Sequence, residues 1–167
     1  MEQPRSSAPG SAYAEIDIAA SRPEVWAILT DIAAWPTWNP AIRQSVRDPE
    51  LKVGTKFRFS TEMGTLKCRF TVVDSPRTFS WKGRVLVLGE RQTWVLEPTA
   101  DGTHVSVSAE MTGLASRLLQ RRLTERLQGV VDSVLQLLRL EAEVRMTEAA
   151  EVAARAAVLQ EETRVDD

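Results

Sequence analysis

The sequence predicts an α+β fold in which seven antiparallel strands form a curved sheet around one long C-terminal helix. Three observations carry this reading. Period-two alternation of apolar and polar residues recurs in short runs from Tyr13 to Met111. Turn residues separate those runs at intervals of about ten residues, the spacing of hairpins. A single broad apolar stripe of helical period then follows Gly113. Helices segregated from strands indicate layered α+β packing, not β-α-β units.

Met1 to Gly10 holds Pro4, Ser6, Ser7 and Pro9 with little to bury, so residues 1–10 are expected to be flexible and the domain to span 11–146. Tyr13 to Ile18 alternates as a half-buried strand. Ser21, Pro23 and Glu24 suit a helix start, with a hydroxyl cap, a proline in the first turn and a carboxylate facing the orphan amides. This helix is expected to reach about Ala34. Pro36 and Pro40 within Trp35-Pro36-Thr37-Trp38-Asn39-Pro40 forbid its continuation and leave a tight loop or one short turn. Further strands are expected at Ile42–Val46, Lys56–Met63, Leu66–Val73, Phe79–Val87, Arg91–Leu96 and Thr103–Met111. Asp48-Pro49, Gly54, Gly64, Ser75-Pro76, Gly89 and Asp101-Gly102 punctuate them. Leu114, Leu118, Leu123, Leu127, Val130, Val134, Leu137 and Val144 form the helical stripe. Residues 147–167 are an acidic Ala/Glu-rich tail, a continued helix or a frayed one, outside the core.

With 167 residues, one domain with its own core is expected. A net charge of −2 offers no general attraction to phosphate backbones or anionic lipid, so neither nucleic acid nor a membrane surface is an expected partner. No apolar run is long enough for stable membrane insertion, Cys68 is the single cysteine, and no leader pattern opens the chain, so a cytoplasmic location is expected. Metal-ligand spacing and glycine-rich phosphate loops are both missing, so neither metal nor cofactor is expected.

Several ordered pieces give the chain a resemblance. They are Ala14-Glu15-Ile16-Asp17-Ile18-Ala19-Ala20 leading into Ser21-Arg22-Pro23-Glu24-Val25-Trp26, then Asp31 with the Trp35 to Pro40 segment, and Gly54-Thr55-Lys56-Phe57. Trp94-Val95-Leu96-Glu97-Pro98 with Asp101-Gly102-Thr103 follows, and Met111-Thr112-Gly113-Leu114 enters the last helix. From about Ala12 to Arg145 the sequence resembles the polyketide cyclase/dehydrase branch of the START-like, Bet v 1-like (SRPBCC) helix-grip superfamily. The resemblance implies short helices between the first two strands and a cavity between sheet and C-terminal helix that holds a hydrophobic small molecule. It does not fix the chemistry, because many activities share the scaffold.

Strand phase supplies the candidate ligand-binding residues. Phe57, Phe59, Thr61 and Met63 share one face, as do Leu66, Cys68, Phe70 and Val72, and Trp81 with Gly83 and Val85; these are taken as inward, with Lys56, Arg58, Glu62, Lys67, Arg69, Lys82 and Arg84 on a solvated convex face. Each inward residue either lines a ligand or packs the core, and the pattern is the same for both. Trp35 and Trp38 gate the cavity or seal a corner; Asn39 orients a ligand carbonyl or caps its turn. Trp94, Val107 and Met111 complete the inward set. Gln92 shares their phase and is the best catalytic candidate, a polar side chain that must find a partner. Left idle, it would be a stability defect that Gln92→Leu repairs. In the family a histidine commonly stands there with a His or Glu on the last strand; Val107 and Ala109 fill the latter places here, which removes an acid/base pair. His104 lies in the opposite phase. Two functions remain open, a cyclase- or dehydratase-like enzyme for a polyketide-like substrate and a non-catalytic carrier of a lipid-like molecule. A homodimer, and contact of the Arg117, Arg121, Arg122 and Arg126 helix face with an acidic carrier protein, are the protein partnerships left open.

Overall fold

The computed structural model describes residues 10–112 and 120–165. Strand β1 (Ser11–Ile18) leads into helix α1 (Arg22–Thr30), a 3-10 turn (Ile32–Ala34) and a four-residue helical turn α2 (Trp35–Trp38). Strands β2 (Gln44–Arg47), β3 (Lys56–Thr61), β4 (Gly64–Asp74), β5 (Thr78–Val85), β6 (Leu88–Thr99) and β7 (Gly102–Thr112) follow, and α3 (Gln120–Val165) ends the chain. All seven strands form one antiparallel sheet in the order β1-β7-β6-β5-β4-β3-β2. This is the expected helix-grip architecture. The positions assigned to residues 1–9 and to the helix start at Leu114 and Leu118 lie outside the described residues.

Local chemistry sets the elements that frame the cavity. The Glu24 carboxylate accepts hydrogen bonds from Ser21 N at 2.8 Å and Ser21 Oγ at 2.6 Å, fixing the start of α1. Helix α1 stops at Thr30 instead of Ala34, because Asp31 leaves the helical region with φ −79° and ψ 73° and the chain then tightens into a 3-10 turn. Helix α3 is pinned to the edge strand: Gln128 Oε1 accepts from Tyr13 N at 3.2 Å, and Gln128 Nε2 donates to Tyr13 O at 2.8 Å. One glutamine thereby satisfies both outward backbone groups of Tyr13, as a neighbouring strand would.

Three local expectations change. The β4–β5 register shifts between Phe70 and Val72, so the alternation reverses there: Val72 faces solvent and Val73 packs on the core. Strand β6 begins at Leu88, not Arg91, because Leu88 pairs directly with Val85 across a two-residue turn. Gly89 belongs to that strand, where a Cβ would collide with the Thr112 hydroxyl. On α3 the buried face is Leu127, Val131, Leu135, Leu138 and Ala142, whereas Val130 and Val144 are exposed. The stripe read from spacing is rotated, since two adjacent apolar rows both fit a helical period. The helix also continues unbroken past residue 147.

Candidate functional site

One end of the concave face is dry. Val25, Ile32, Phe70, Phe79, Val105 and Leu138 are fully buried there, and Trp26 meets Phe79 edge-on at 5.6 Å. Toward the other end, where the β3–β4 and β5–β6 hairpins turn, sheet and helix part and leave a cavity of about 600 Å³. Sheet residues Phe59, Thr61, Leu66, Trp81, Val85, Gln92, Trp94 and Met111 border it on one side. On the other side, α3 contributes Leu123, Leu127, Val130 and Val134, with the small residues Gly129 and Ser133. Trp35, Trp38 and Asn39 close its flank, and Arg43, Glu62 and Arg126 stand among its lining as charged groups exposed to solvent.

The residues expected to touch a ligand divide by depth. Trp35, Trp38, Asn39, Phe59, Thr61, Trp81, Gln92, Trp94 and Met111 border the cavity; Phe57, Cys68, Phe70 and Val107 do not. Phe57 and Phe70, with ring centroids 4.8 Å apart, sit beneath Phe59 in the dry packing. Cys68 Sγ lies 2.5 Å from where a Cβ on Gly83 would stand, so glycine lets the sulfur press against β5. Burial pushes its thiol pKa up, and the charge of Glu90 pushes it the same way, which leaves Cys68 a weak nucleophile. Val107 is wholly buried between β1 and β6.

The Trp/Pro segment packs a corner of the sheet and also borders the cavity. Trp35 Nε1 donates to Leu29 O at 3.0 Å and its ring meets Phe57 and Phe59 edge-on, which seals the corner while one side borders the cavity. Asn39 Oδ1 accepts from Ala41 N at 3.1 Å and so caps its own turn.

The cavity's polar wall contains a residue the sequence reading missed. Glu90 shares the phase of Gln92 and Trp94, and the three form a relay: Trp94 Nε1 donates to Gln92 Oε1 at 3.1 Å, and Gln92 Nε2 donates to Glu90 Oε1 at 2.6 Å. Gln92 is therefore partnered on both sides and is not the idle polar group that leucine would repair. Burial raises the Glu90 pKa above the ordinary carboxylate range, a shift that the Gln92 hydrogen bond partly opposes. The available signal was phase alone, and Gly89 masked it by reading as a turn. Two further polar atoms belong to lining residues: Trp38 Nε1 and Trp81 Nε1 are buried without an acceptor among the described residues. An unpaired buried N–H is costly, so such donors mark places where an acceptor would be gained.

The family model described as polyketide cyclase / dehydrase and lipid transport matches residues 9–157. The chain belongs to this family. No curated protein matches the sequence. Among solved structures, a hypothetical protein from Helicobacter pylori is similar with a TM-score of 0.72 at 13% identity, covering 83% of this chain and 90% of that one. A START superfamily protein from Mycobacterium smegmatis has a TM-score of 0.66 at 14% identity over 80% of this chain and 97% of its own. A di-domain ARO/CYC protein from the steffimycin biosynthetic pathway has a TM-score of 0.66 at 17% identity; the match covers 83% of this chain and 52% of that one. These likenesses establish the helix-grip fold. Family membership adds hydrophobic small-molecule binding as the family's common theme. Among the described residues no helix is long and apolar enough to cross a membrane, and no His, Cys, Asp and Glu cluster suits a metal ion.

Proposed function

We propose that this family member binds an apolar, oxygenated small molecule, polyketide- or lipid-like, between its sheet and α3. The observation that carries the reading is the mixed lining of the 600 Å³ cavity. Its aromatic and aliphatic walls suit an apolar body, while the indole N–H groups of Trp38 and Trp81 lack acceptors among the described residues and the Glu90–Gln92 pair lines the same cavity. A ligand bearing carbonyl or hydroxyl oxygens would answer those groups; a plain hydrocarbon would not. Trp35, Trp38, Asn39, Phe59, Thr61, Trp81, Gln92, Trp94 and Met111 are its proposed contacts, with Glu90 added.

Glu90 supports a second reading, catalysis. A carboxyl whose pKa is raised beside an apolar cavity can, in its acid form, give its proton to a departing hydroxyl and, as the carboxylate, take one from the adjacent carbon. Water leaves and one carbon–carbon double bond forms. Extraction of the protein from its native host followed by mass spectrometry tests both readings. An unchanged lipid or open-chain ligand supports carriage. A dehydrated or cyclised product that disappears in Glu90→Gln supports catalysis, and a protein carrying neither, which binds no apolar probe, sinks the proposal.

A further inference from the structure

The convex face of the sheet carries a charge pattern that nothing in ligand binding requires. Arg58 stands opposite Lys67, and Lys67 opposite Arg84. One step along, Lys56 stands opposite Arg69, Arg69 opposite Lys82, and Lys82 opposite Arg91. These are two unbroken cross-strand rows over β3, β4, β5 and β6. All seven side chains are exposed, and among the described residues none makes an ion pair with a carboxylate, although the second row ends with Arg91 opposite Glu110 on β7. At strand spacing the patch is about 14 Å across. The chain as a whole has a net charge of −2, so the concentration is local. Like charges directly opposite one another destabilise a sheet, and packing gives no compensation for these.

The upper row runs straight into an unusual hairpin tip. The β5–β6 turn is Leu86-Val87, which are 87% and 75% exposed, and Leu86 has a φ of 51°. A two-residue turn with positive φ at its first position favours glycine, so leucine here is both strained and solvated. Met63 is exposed on the β3–β4 turn alongside, where a Cβ on Gly64 would stand 3.3 Å from Val85. The cavity opens at this same end, since Met63, Val85, Leu88 and Gly89 border it.

We propose that the cationic rows and the Leu86-Val87 tip dock the protein on the surface of an anionic phospholipid bilayer, with the cavity mouth facing the lipid. A bilayer offers headgroup phosphates to the rows and an apolar layer to the tip within a few ångströms of each other. Nucleic acid offers the phosphates but leaves Leu86 and Val87 solvated. Docking by this face does not depend on what the cavity holds.

Vesicle co-sedimentation of the full chain tests it, using phosphatidylcholine alone and an equal mixture with phosphatidylglycerol. The protein is expected to bind only the mixed vesicles, and more weakly as salt rises. The combined Lys67→Gln, Arg69→Gln, Lys82→Gln, Arg84→Gln variant should lose binding by about tenfold or more, with an equal or higher melting temperature because the opposed charges are gone. Leu86→Gly with Val87→Ser suits the turn and should keep the fold while weakening binding several-fold. Equal binding to both vesicle types, undiminished binding by the charge variant, or binding of RNA or an acidic protein without any vesicle binding would overturn the proposal.

Discussion

Phe57 and Phe59 are two residues apart on one strand face, yet one belongs to a dry core and the other to a cavity wall. The same division runs through the sheet: Phe79 against Trp81 on β5, Leu96 against Gln92 on β6, Val105 against Met111 on β7. Helix α3 repeats it, with Leu135, Leu138 and Ala142 packed into the dry end and Leu123, Val130 and Val134 along the cavity. At the dry end α1 supplies Trp26 and Ile28 as a third layer, so every inward side chain meets a partner. At the mouth end α3 presents Gly129 and Ser133, which leave space unfilled. Inward phase decides burial; what lies opposite decides whether burial becomes packing or a binding wall.

The largest expected contrast is between aromatic truncations on the two sides of this boundary. Phe70→Ala, in full packing, should cost about 3–5 kcal/mol in denaturant unfolding and leave the affinity for an apolar probe nearly unchanged in the protein that stays folded. Phe59→Ala should cost roughly half as much, because that ring already borders open space, and should weaken probe binding several-fold. Equal stability losses would mean that the two ends are packed alike.

Gln92→Leu comes next. It strips Trp94 Nε1 of its acceptor and Glu90 of its donor, so a loss of about 1–3 kcal/mol is expected. A higher melting temperature in this variant would show that the relay does not hold the wall together.

Much of the fold was legible because turn chemistry and alternation point the same way: the β6–β7 turn is Ala100-Asp101, closed by Gly102 opposite Thr99, and Ser21 with Glu24 starts α1. The site was legible only in part. Period two separates inward Phe57 and Phe59 from outward Arg58 but cannot separate the two phenylalanines, since their difference lies in helices remote in sequence. The bulge after Phe70 reversed Val72 without a glycine to announce it. Glu90 was hidden for the opposite reason, because a glycine needed for close approach to Thr112 resembled one needed for a turn.

A pH series sharpens the account of Glu90. Its carboxyl has a raised pKa in the folded protein, so between the ordinary and the raised value the native state binds more protons than the unfolded chain. Stability should therefore fall as pH rises through that window. Glu90→Gln should flatten this dependence and raise stability at mildly alkaline pH, read from urea midpoints. A parallel pH slope in both proteins would remove Glu90 as its source. Lys82→Ala, on the convex face, should change neither stability nor probe binding measurably, and a binding loss equal to that of Phe59→Ala would invert the assignment of the two faces.

The claim that the mouth end holds an open, ligand-accepting cavity is tested most directly by filling it. A Cβ on Gly129 would meet nothing within 4 Å, and this residue borders the cavity from a helix, where replacing glycine is favourable. Fluorescence titration of the folded protein with 1-anilinonaphthalene-8-sulfonate should show saturable binding at micromolar or better affinity. Gly129→Phe should reduce that affinity about tenfold or more without lowering the melting temperature. Undiminished binding in Gly129→Phe, or none in the wild-type protein, would contradict the account.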